Sequence, residues 1–293
     1  MQTLELIGKR IDTTQDLQSI VRTMKSLSAV SIRQYEVAEA AVREYHRTIE
    51  LGLQIALQAG PPVESPEPGH EECIAMLLFG SDLGLCGRFN DQIVDYALEW
   101  VAVQQDDRKS FRWLTVGSRA TARLQSRGAE PAATYSLPGS IHGLSETVGA
   151  VLGVLDQWRG EGVIDRAVIF HNRRKKLGSS SPRMRRLWPP DPSYLRALAH
   201  QRWDSRSSPM FTMDRAALLS VLIRQHLFVS IFQAGAESMA AEHAARLSAM
   251  QSAERNIAEK LQEMQFEHRR ARQDAITAEL LDIIAGSEAL RSS

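Results

Sequence analysis

The sequence predicts an α/β protein with long helices: N- and C-terminal helices paired as an antiparallel coiled coil, with a small α/β domain inserted between them. Three observations carry that prediction. All eleven prolines fall between Pro61 and Pro209, so the first sixty residues and the last eighty-four contain none. Apolar residues near the C-terminus recur at intervals of seven. The middle of the chain alternates short apolar runs with helix-spaced segments.

Proline in a helix interior costs about 3 kcal/mol, so long stretches without it can run as unbroken helix. In the first section Leu4, Ile7, Ile11, Leu17, Val21, Met24 and Leu27 recur at helical steps, with a polar gap around Thr14. The stripe resumes at Tyr35, Val42, Tyr45 and Ile49, as one face of a helix requires. GPPVESPEPGH then breaks it, since no helix continues through such a segment. The expected division is 1–59 for the first long helix, 60–70 for a linker, 71–207 for the α/β domain and 208–293 for the second long helix.

In that last section Met250, Ile257, Met264 and Ala271 are spaced by sevens. Leu247, Leu261 and Ala275 fill the complementary seam, which Glu254 and His268 interrupt. A helix of this length with a narrow apolar stripe has to lie against another helix. The first section supplies the only other long one.

The middle section reads as strands at CIAMLLFG, FRWLTVG and DRAVIFHN. Helix spacing separates them at DQIVDYALEWVAVQQ, SRATARLQSRG and LSETVGAVLGVLDQWRG. Such alternation predicts a small Rossmann-like α/β unit. Ser140 or Ser145 is placed to cap the helix after Gly139.

Composition excludes several classes of function. Hydrophobic residues make up 43% and charged residues 24%, the balance of a core-forming chain rather than a disordered one. Thirty-five basic residues match thirty-five acidic ones, so no global field argues for nucleic acid or an acidic partner. Two cysteines, Cys73 and Cys86, imply no disulfide framework and favour a reducing compartment. The polar start lacks the layout of a signal or transit peptide. No run of about eighteen apolar residues is evident, so no membrane span is expected.

One stretch has the look of an active site. FGSDLGLCGRFN, from Phe79 to Asn90, places glycines and a cysteine between a strand and a helix. A phosphate cradle of the GxxxxGK[ST] kind needs a lysine to reach the outer phosphates. Counting from Gly80 puts Leu85 at the second glycine, counting from Gly84 puts Phe89 there, and no lysine follows either. The GxGxxG fingerprint fails because Asp82 stands where the first glycine should be, and its charge repels pyrophosphate. Cys86 as a nucleophile would gain from a helix N-terminus or Arg88. It has no local histidine base, because His70 lies in the linker and His142 is far along the chain. A small buried residue at a strand–helix corner is the commoner role.

Metal ligation finds no support either. His226, His243 and His268 are spread along one helix, no HExxH pair occurs, and the cysteines lack zinc-site spacing. RRKKLGSSSPRMRR is the one conspicuous cluster of charge. Its Arg173, Arg174, Lys175, Lys176, Arg183, Arg185 and Arg186 suit phosphates or anionic headgroups. Gly178 and Ser179 to Ser181 read instead as a flexible hairpin tip within a solvated loop. With no catalytic constellation left, the sequence describes a mechanical or scaffolding protein.

The C-terminal section reads AGAESMAAEHAARLSAMQSAERNIAEKLQEMQFEHRRARQDAITAELLDIIAGSEAL. It resembles the end of the gamma subunit of F-type ATP synthases, in the patterns ESxAxExAARxxAMxxAxxN and ARQxxITxELxxIxxGxxAL. IDTTQDLQSIVRTMKSLSAVSIRQ resembles that family's first shaft helix, and SDLGLCGRFN its SDxGLCGxxN motif. The resemblance covers essentially the whole chain in the right order.

It implies a non-catalytic rotor subunit that couples ion flow to ATP synthesis or hydrolysis. The implied partners are a ring of alpha and beta subunits, an epsilon subunit and the c-ring, with neither cofactor nor nucleic acid. Membrane association is then indirect, at the cytoplasmic face of a bacterial inner membrane. The resemblance further implies ring contacts at Arg272, Gln273 and Thr277, and at Met24 and Lys25 on the stretch of the first helix facing them. Ser81, Asp82, Gly84, Leu85, Cys86, Gly87 and Asn90 become a structural motif loop. Ser26 and Ser31, Arg88 and the arginine-rich hairpin depart from the family pattern and point to a divergent, alternative ion-pumping branch. The other readings are a coiled-coil scaffold that binds no ATPase ring, and an α/β enzyme using Cys86.

Overall fold

The computed structural model describes residues 2–60, 72–104, 106, 108–175, 180–207 and 209–291. The proline-rich linker with His70 lies outside the described residues apart from Gly60, as do Lys176, Gly178 and Ser179. Eleven elements follow in order: α1 (Gln2–Gln58), β1 (Glu72–Phe79), α2 (Phe89–Gln104), β2 (Lys109–Val116), α3 (Ser118–Gln125) and β3 (Pro131–Tyr135), then α4 (Ile141–Gly160), β4 (Arg166–Arg174), β5 (Ser180–Trp188), α5 (Pro192–His200) and α6 (Arg215–Arg291). They form two compact units, one of residues 1–27 with 247–293 and one of residues 28–246.

The larger unit is built on a five-stranded sheet of order β3-β2-β1-β4-β5. β1, β2, β3 and β4 are parallel, and β5 returns antiparallel to β4. β1 is central, and its last six residues are all buried. Its unbroken apolar run therefore reports burial on both faces. Ile74, Met76 and Leu78 point to one face, where Ile93, Val94 and Ala97 of α2 and Ala120 and Leu124 of α3 cover them. Ala75, Leu77 and Phe79 point to the other, against Leu144, Val148 and Val151 of α4 and Leu227, Ile231 and Ala234 of α6. Ser140 is the N-cap of α4, its hydroxyl accepting from the Gly143 N–H.

Two glycines allow the layers to close at the carboxyl end of the sheet. A Cβ on Gly80 would lie 2.1 Å from the Cβ of Ala120. Gly117, between β2 and α3, has φ +112°, a left-handed conformation that glycine adopts without steric cost.

The smaller unit pairs the start of α1 with the end of α6. Arg22 and Lys25 bind Glu254, while Leu6, Lys9, Arg10, Thr13 and Thr14 line a groove with Lys260 and Met264. Rising numbers on α1 meet falling numbers on α6, so the pairing is antiparallel. Met250, Leu261 and Met264 are buried as the heptad predicts. Glu254, which interrupts the seam, accepts the two cations from α1.

Several expectations need correction. Leu17, Leu27 and Tyr45 are 50%, 63% and 48% exposed, so they are not on the packed stripe. Thr14, Gln18, Ser28 and Ile32 hold those positions instead, because an unbroken 3.6-residue step drifts past the apolar residues chosen from sequence. The arginine-rich segment is not a solvated loop where it is described: Arg173 and Arg174 end β4, while Ser180, Ser181, Arg183, Arg185 and Arg186 lie in β5. β3 and α5 were not anticipated. Nor was a helix able to cross a membrane, yet part of α6 is long and apolar enough to do so by length and composition alone. Its Leu219, Leu227, Val229 and Ile231 are buried within the larger unit, which accounts for much of that hydropathy by core packing.

Candidate functional site

The loop from Gly80 to Asn90 leaves the carboxyl end of β1, beside β4, where the strand order reverses. Open α/β sheets hold their ligands at this switch point. Here protein fills the crevice. Cys86 and Phe89 pack with Ala241 of α6, and Ala245 lies against them.

Side-chain hydrogen bonds hold the loop from within. The Ser81 N–H donates to Asn90 Oδ1 at 3.0 Å, and Asn90 Nδ2 donates to Ser81 Oγ at 2.8 Å. Asp82 ties three elements together: its Oδ1 accepts the Ser118 N–H at 2.6 Å and its Oδ2 the Leu137 N–H at 2.8 Å. The N-terminus of α3, where an anion would gain most, is thus occupied by the chain's own carboxylate. Asp82 does more than repel a phosphate, because it takes the place of one.

Cys86 is 3% exposed. Burial pushes its thiol up, against the hydrogen bond from Ser81. A thiol that resists ionisation is a poor nucleophile, which favours a packing role for Cys86. Gly87 has φ +61° and Leu85, which is not glycine, φ +62°. A left-handed leucine costs roughly 1–2 kcal/mol. Leu85 and Leu83 are nonetheless 61% and 65% exposed.

α6 contributes a second layer of polar groups. Arg246 and Glu242 are both buried and meet at 2.5 Å. Arg246 also donates to the carbonyls of Leu83 and Gly84 at 3.3 to 3.4 Å. Burial pushes the Glu242 carboxyl up to about 6, with Arg246 pulling against it. Tyr35 of α1 stacks on His243 at 5.5 Å. Further along, buried His171 of β4 donates from Nε2 to buried Glu237 at 3.0 Å. Burial raises the Glu237 carboxyl, but this hydrogen bond and the charges of His171, Arg185 and Arg173 together pull it below its ordinary value.

The arginines of β4 and β5 are partly spoken for. Arg174 pairs with Glu36, Arg173 lies 3.8 Å from Glu237, and Arg185 donates to Gln233. A separate cluster joins α1, α5 and α6. His46 Nε2 and His226 Nδ1 are 3.1 Å apart, and the Tyr194 hydroxyl donates to Glu50 at 2.6 Å. Burial pushes His226 down to about 4, with the His46 charge adding to it. Among the described residues no group of three or more His, Cys, Asp or Glu is arranged to hold a metal.

The residues expected at a partner surface all lie in the smaller unit. Lys25 donates to Glu254 at 2.5 Å and Met24 is half-buried beside it. Arg272, Gln273 and Thr277 are exposed, and the Thr277 hydroxyl donates to the Gln273 carbonyl. The structure does not set Met24 and Lys25 opposite Arg272. Glu254, which Lys25 meets, is eighteen residues earlier on α6, roughly 27 Å along the axis at 1.5 Å per residue. Heptad spacing alone does not set the register between two helices.

Sequence reasoning missed Arg246, Glu242, the His171–Glu237 pair and the His46–His226 pair. Glu242 and Arg246 sit at i, i+4, a visible helix pair, but their burial and the carbonyls they serve come from distant segments.

Comparison with known proteins agrees with this architecture. The family model described as ATP synthase matches residues 3–290. The chain is 28% identical to the ATP synthase gamma chain of Geotalea uraniireducens (strain Rf4) and to that of Pelagibacter ubique (strain HTCC1062), each over 99% of this chain and 100% of the relative. Among solved structures it resembles a chain of the Euglena gracilis mitochondrial ATP synthase OSCP/F1/c-ring assembly, with TM-score 0.66 at 19% identity, covering 99% of this chain and 95% of that one. A chain of the rotor of the same enzyme gives TM-score 0.63 at 16% identity, covering 94% and 99%. With the family model spanning nearly every residue, the chain belongs to the gamma subunits of F-type ATP synthases.

Proposed function

We propose that the chain is the central-stalk rotor subunit of an F-type ATP synthase, turning within a ring of alpha and beta subunits to couple ion flow to ATP synthesis or hydrolysis. The observation that carries this reading is the family match over residues 3–290, joined to a glycine loop whose switch-point crevice is filled by α6 rather than open to a nucleotide. The chain contributes no catalytic group, and the chemistry takes place in its partners. Helices as long as α1 and α6 suit a shaft, because their backbone hydrogen bonds run along the axis and resist bending.

In this reading residues 1–59 and 208–293 form the shaft, 60–70 a linker and 71–207 the foot. Arg272, Gln273 and Thr277 meet the ring from one level of the shaft, and Met24 and Lys25 from another. The foot faces the epsilon subunit and the c-ring, at the cytoplasmic face of a bacterial inner membrane. Co-expression with the alpha and beta subunits tests the proposal. A stoichiometric complex with ATPase activity that is altered by deleting residues 272–293 supports it. Failure to assemble, or activity indifferent to that deletion, overturns it.

A further inference from the structure

Within the larger unit, α6 packs on the sheet through Leu227, Ile231, Phe232 and Met239, and beside them presents a run of small side chains. Ala234, Gly235, Ala236, Ala240 and Ala241 make it up, and the four alanines are no more than 5% exposed. A Cβ on Gly235 would come within 3.0 Å of Leu144 and 3.2 Å of Phe79. Apolar contact of this kind is strong but non-directional. Along this run the small side chains offer few knobs to oppose sliding or rotation of the helix on the sheet, and apolar contact does not fix the direction of the neighbouring loop. Two buried polar ties interrupt the surface. One is Glu237 to His171 of β4, at 3.0 Å. The other, nine residues on, is Arg246, which Glu242 holds and which reaches the carbonyls of Leu83 and Gly84.

Stability alone is a weak explanation for the second tie, since the cost of desolvating a buried ion pair often matches its attraction. What charge-assisted hydrogen bonds add is direction. The Arg246 tie acts on a loop in which Leu85 is held left-handed at φ +62°. A loop free to relax would leave that conformation.

We propose that Arg246, oriented by Glu242, is a positioning residue that locks α6 in register on the β1–α2 corner, with Glu237–His171 as the second fixed point. Load applied along or around α6 then passes into the sheet through these bonds rather than being lost to slip. The torque role rests on the rotor reading above, while the register lock itself does not.

Cys86 is a native reporter of the lock, because its thiol lies buried under the loop that Arg246 holds. The experiment uses the full chain in a Cys73→Ser background and follows Cys86 alkylation by a maleimide. The double variant Glu242→Met with Arg246→Met keeps the volume apolar and removes the directional bonds. Its labelling rate is expected to rise about tenfold or more through local opening, with helical content and thermal midpoint near those of the parent. Arg246→Lys keeps the charge but loses the planar fork, and should label at an intermediate rate. Parent-like labelling in the double variant overturns the proposal; if that variant fails to fold, parent-like labelling in Arg246→Lys does so. Assembled with the alpha and beta subunits and the membrane sector, the variants should hydrolyse ATP yet pump fewer ions per ATP than the parent. Unchanged pumping with raised labelling overturns the torque role and leaves the lock. Failure of the parent chain to assemble would count against the rotor reading alone.

Discussion

Replacing Asp82 tests whether the motif loop is a structural joint. Its carboxylate accepts two backbone N–H groups from separate elements, Ser118 at the start of α3 and Leu137 beyond β3. A hydrogen bond to a charged acceptor contributes about 1.5–3 kcal/mol when buried. Ser118 is exposed, so water replaces much of its share, whereas the Leu137 N–H is partly shielded. Asp82→Ala should therefore cost about 2–3 kcal/mol. Asp82→Asn keeps one acceptor and turns an NH2 toward the other donor, for a loss of about 1–2 kcal/mol. Part of each loss reflects the α3 N-terminus, where a negative charge is favourable. The assay is urea unfolding of the full chain, followed by the fluorescence of its five tryptophans, all of which lie in the larger unit. An unchanged slope with a lower midpoint is expected. Both variants within about 0.5 kcal/mol of the parent, the scatter of ordinary surface substitutions, would refute the joint.

Three further predictions concern packing and charge. Gly80→Ala puts a methyl 2.1 Å from the Ala120 Cβ and 2.9 Å from Asn90 Oδ1, so a loss of about 1–3 kcal/mol is expected by calorimetry; an unshifted melting curve contradicts the close approach. His226 titrates near 4 in the folded chain against an ordinary 6.5. The unfolded chain then takes up its proton first, and stability that is full above about 6.5 falls as pH drops toward 4, by up to about 3 kcal/mol. His226→Leu should flatten that part of the profile, while His243, also near 4, keeps its own share of the same sign. Glu242 works the other way between its ordinary 4.5 and about 6, because there the folded chain binds the proton first. Glu254→Ala removes the acceptor shared by Arg22 and Lys25, and should lower the melting midpoint slightly, by less at high salt; a salt-independent loss would point to packing instead.

The sequence by itself determined the class of fold and the absence of a phosphate cradle. Proline placement marked where helices run unbroken, because one misplaced proline costs more than several good residues restore. The apolar runs of β1, β2 and β4 were legible because strands buried on both faces need no alternation. β3 was not, since its residues alternate between half-buried and exposed and it opens on a proline. β5 was hidden by its arginines, which read as a solvated loop until pairing with β4 placed Arg185 against Gln233. Local pattern also left the register of α1 on α6 open, and Lys25 meets Glu254 rather than the stretch near Arg272.

What only the tertiary structure decided is the use made of polar residues. Asp82, Glu242 and Arg246 are ordinary charges in the sequence. Asp82 and Arg246 reach backbone groups that other elements fix, far away in the chain, and Glu242 orients Arg246 from the same helix. Apolar periodicity depends on neighbours a few residues apart and so can be read along the chain. A buried hydrogen bond depends on distance and direction across it, which exist only once the chain has folded.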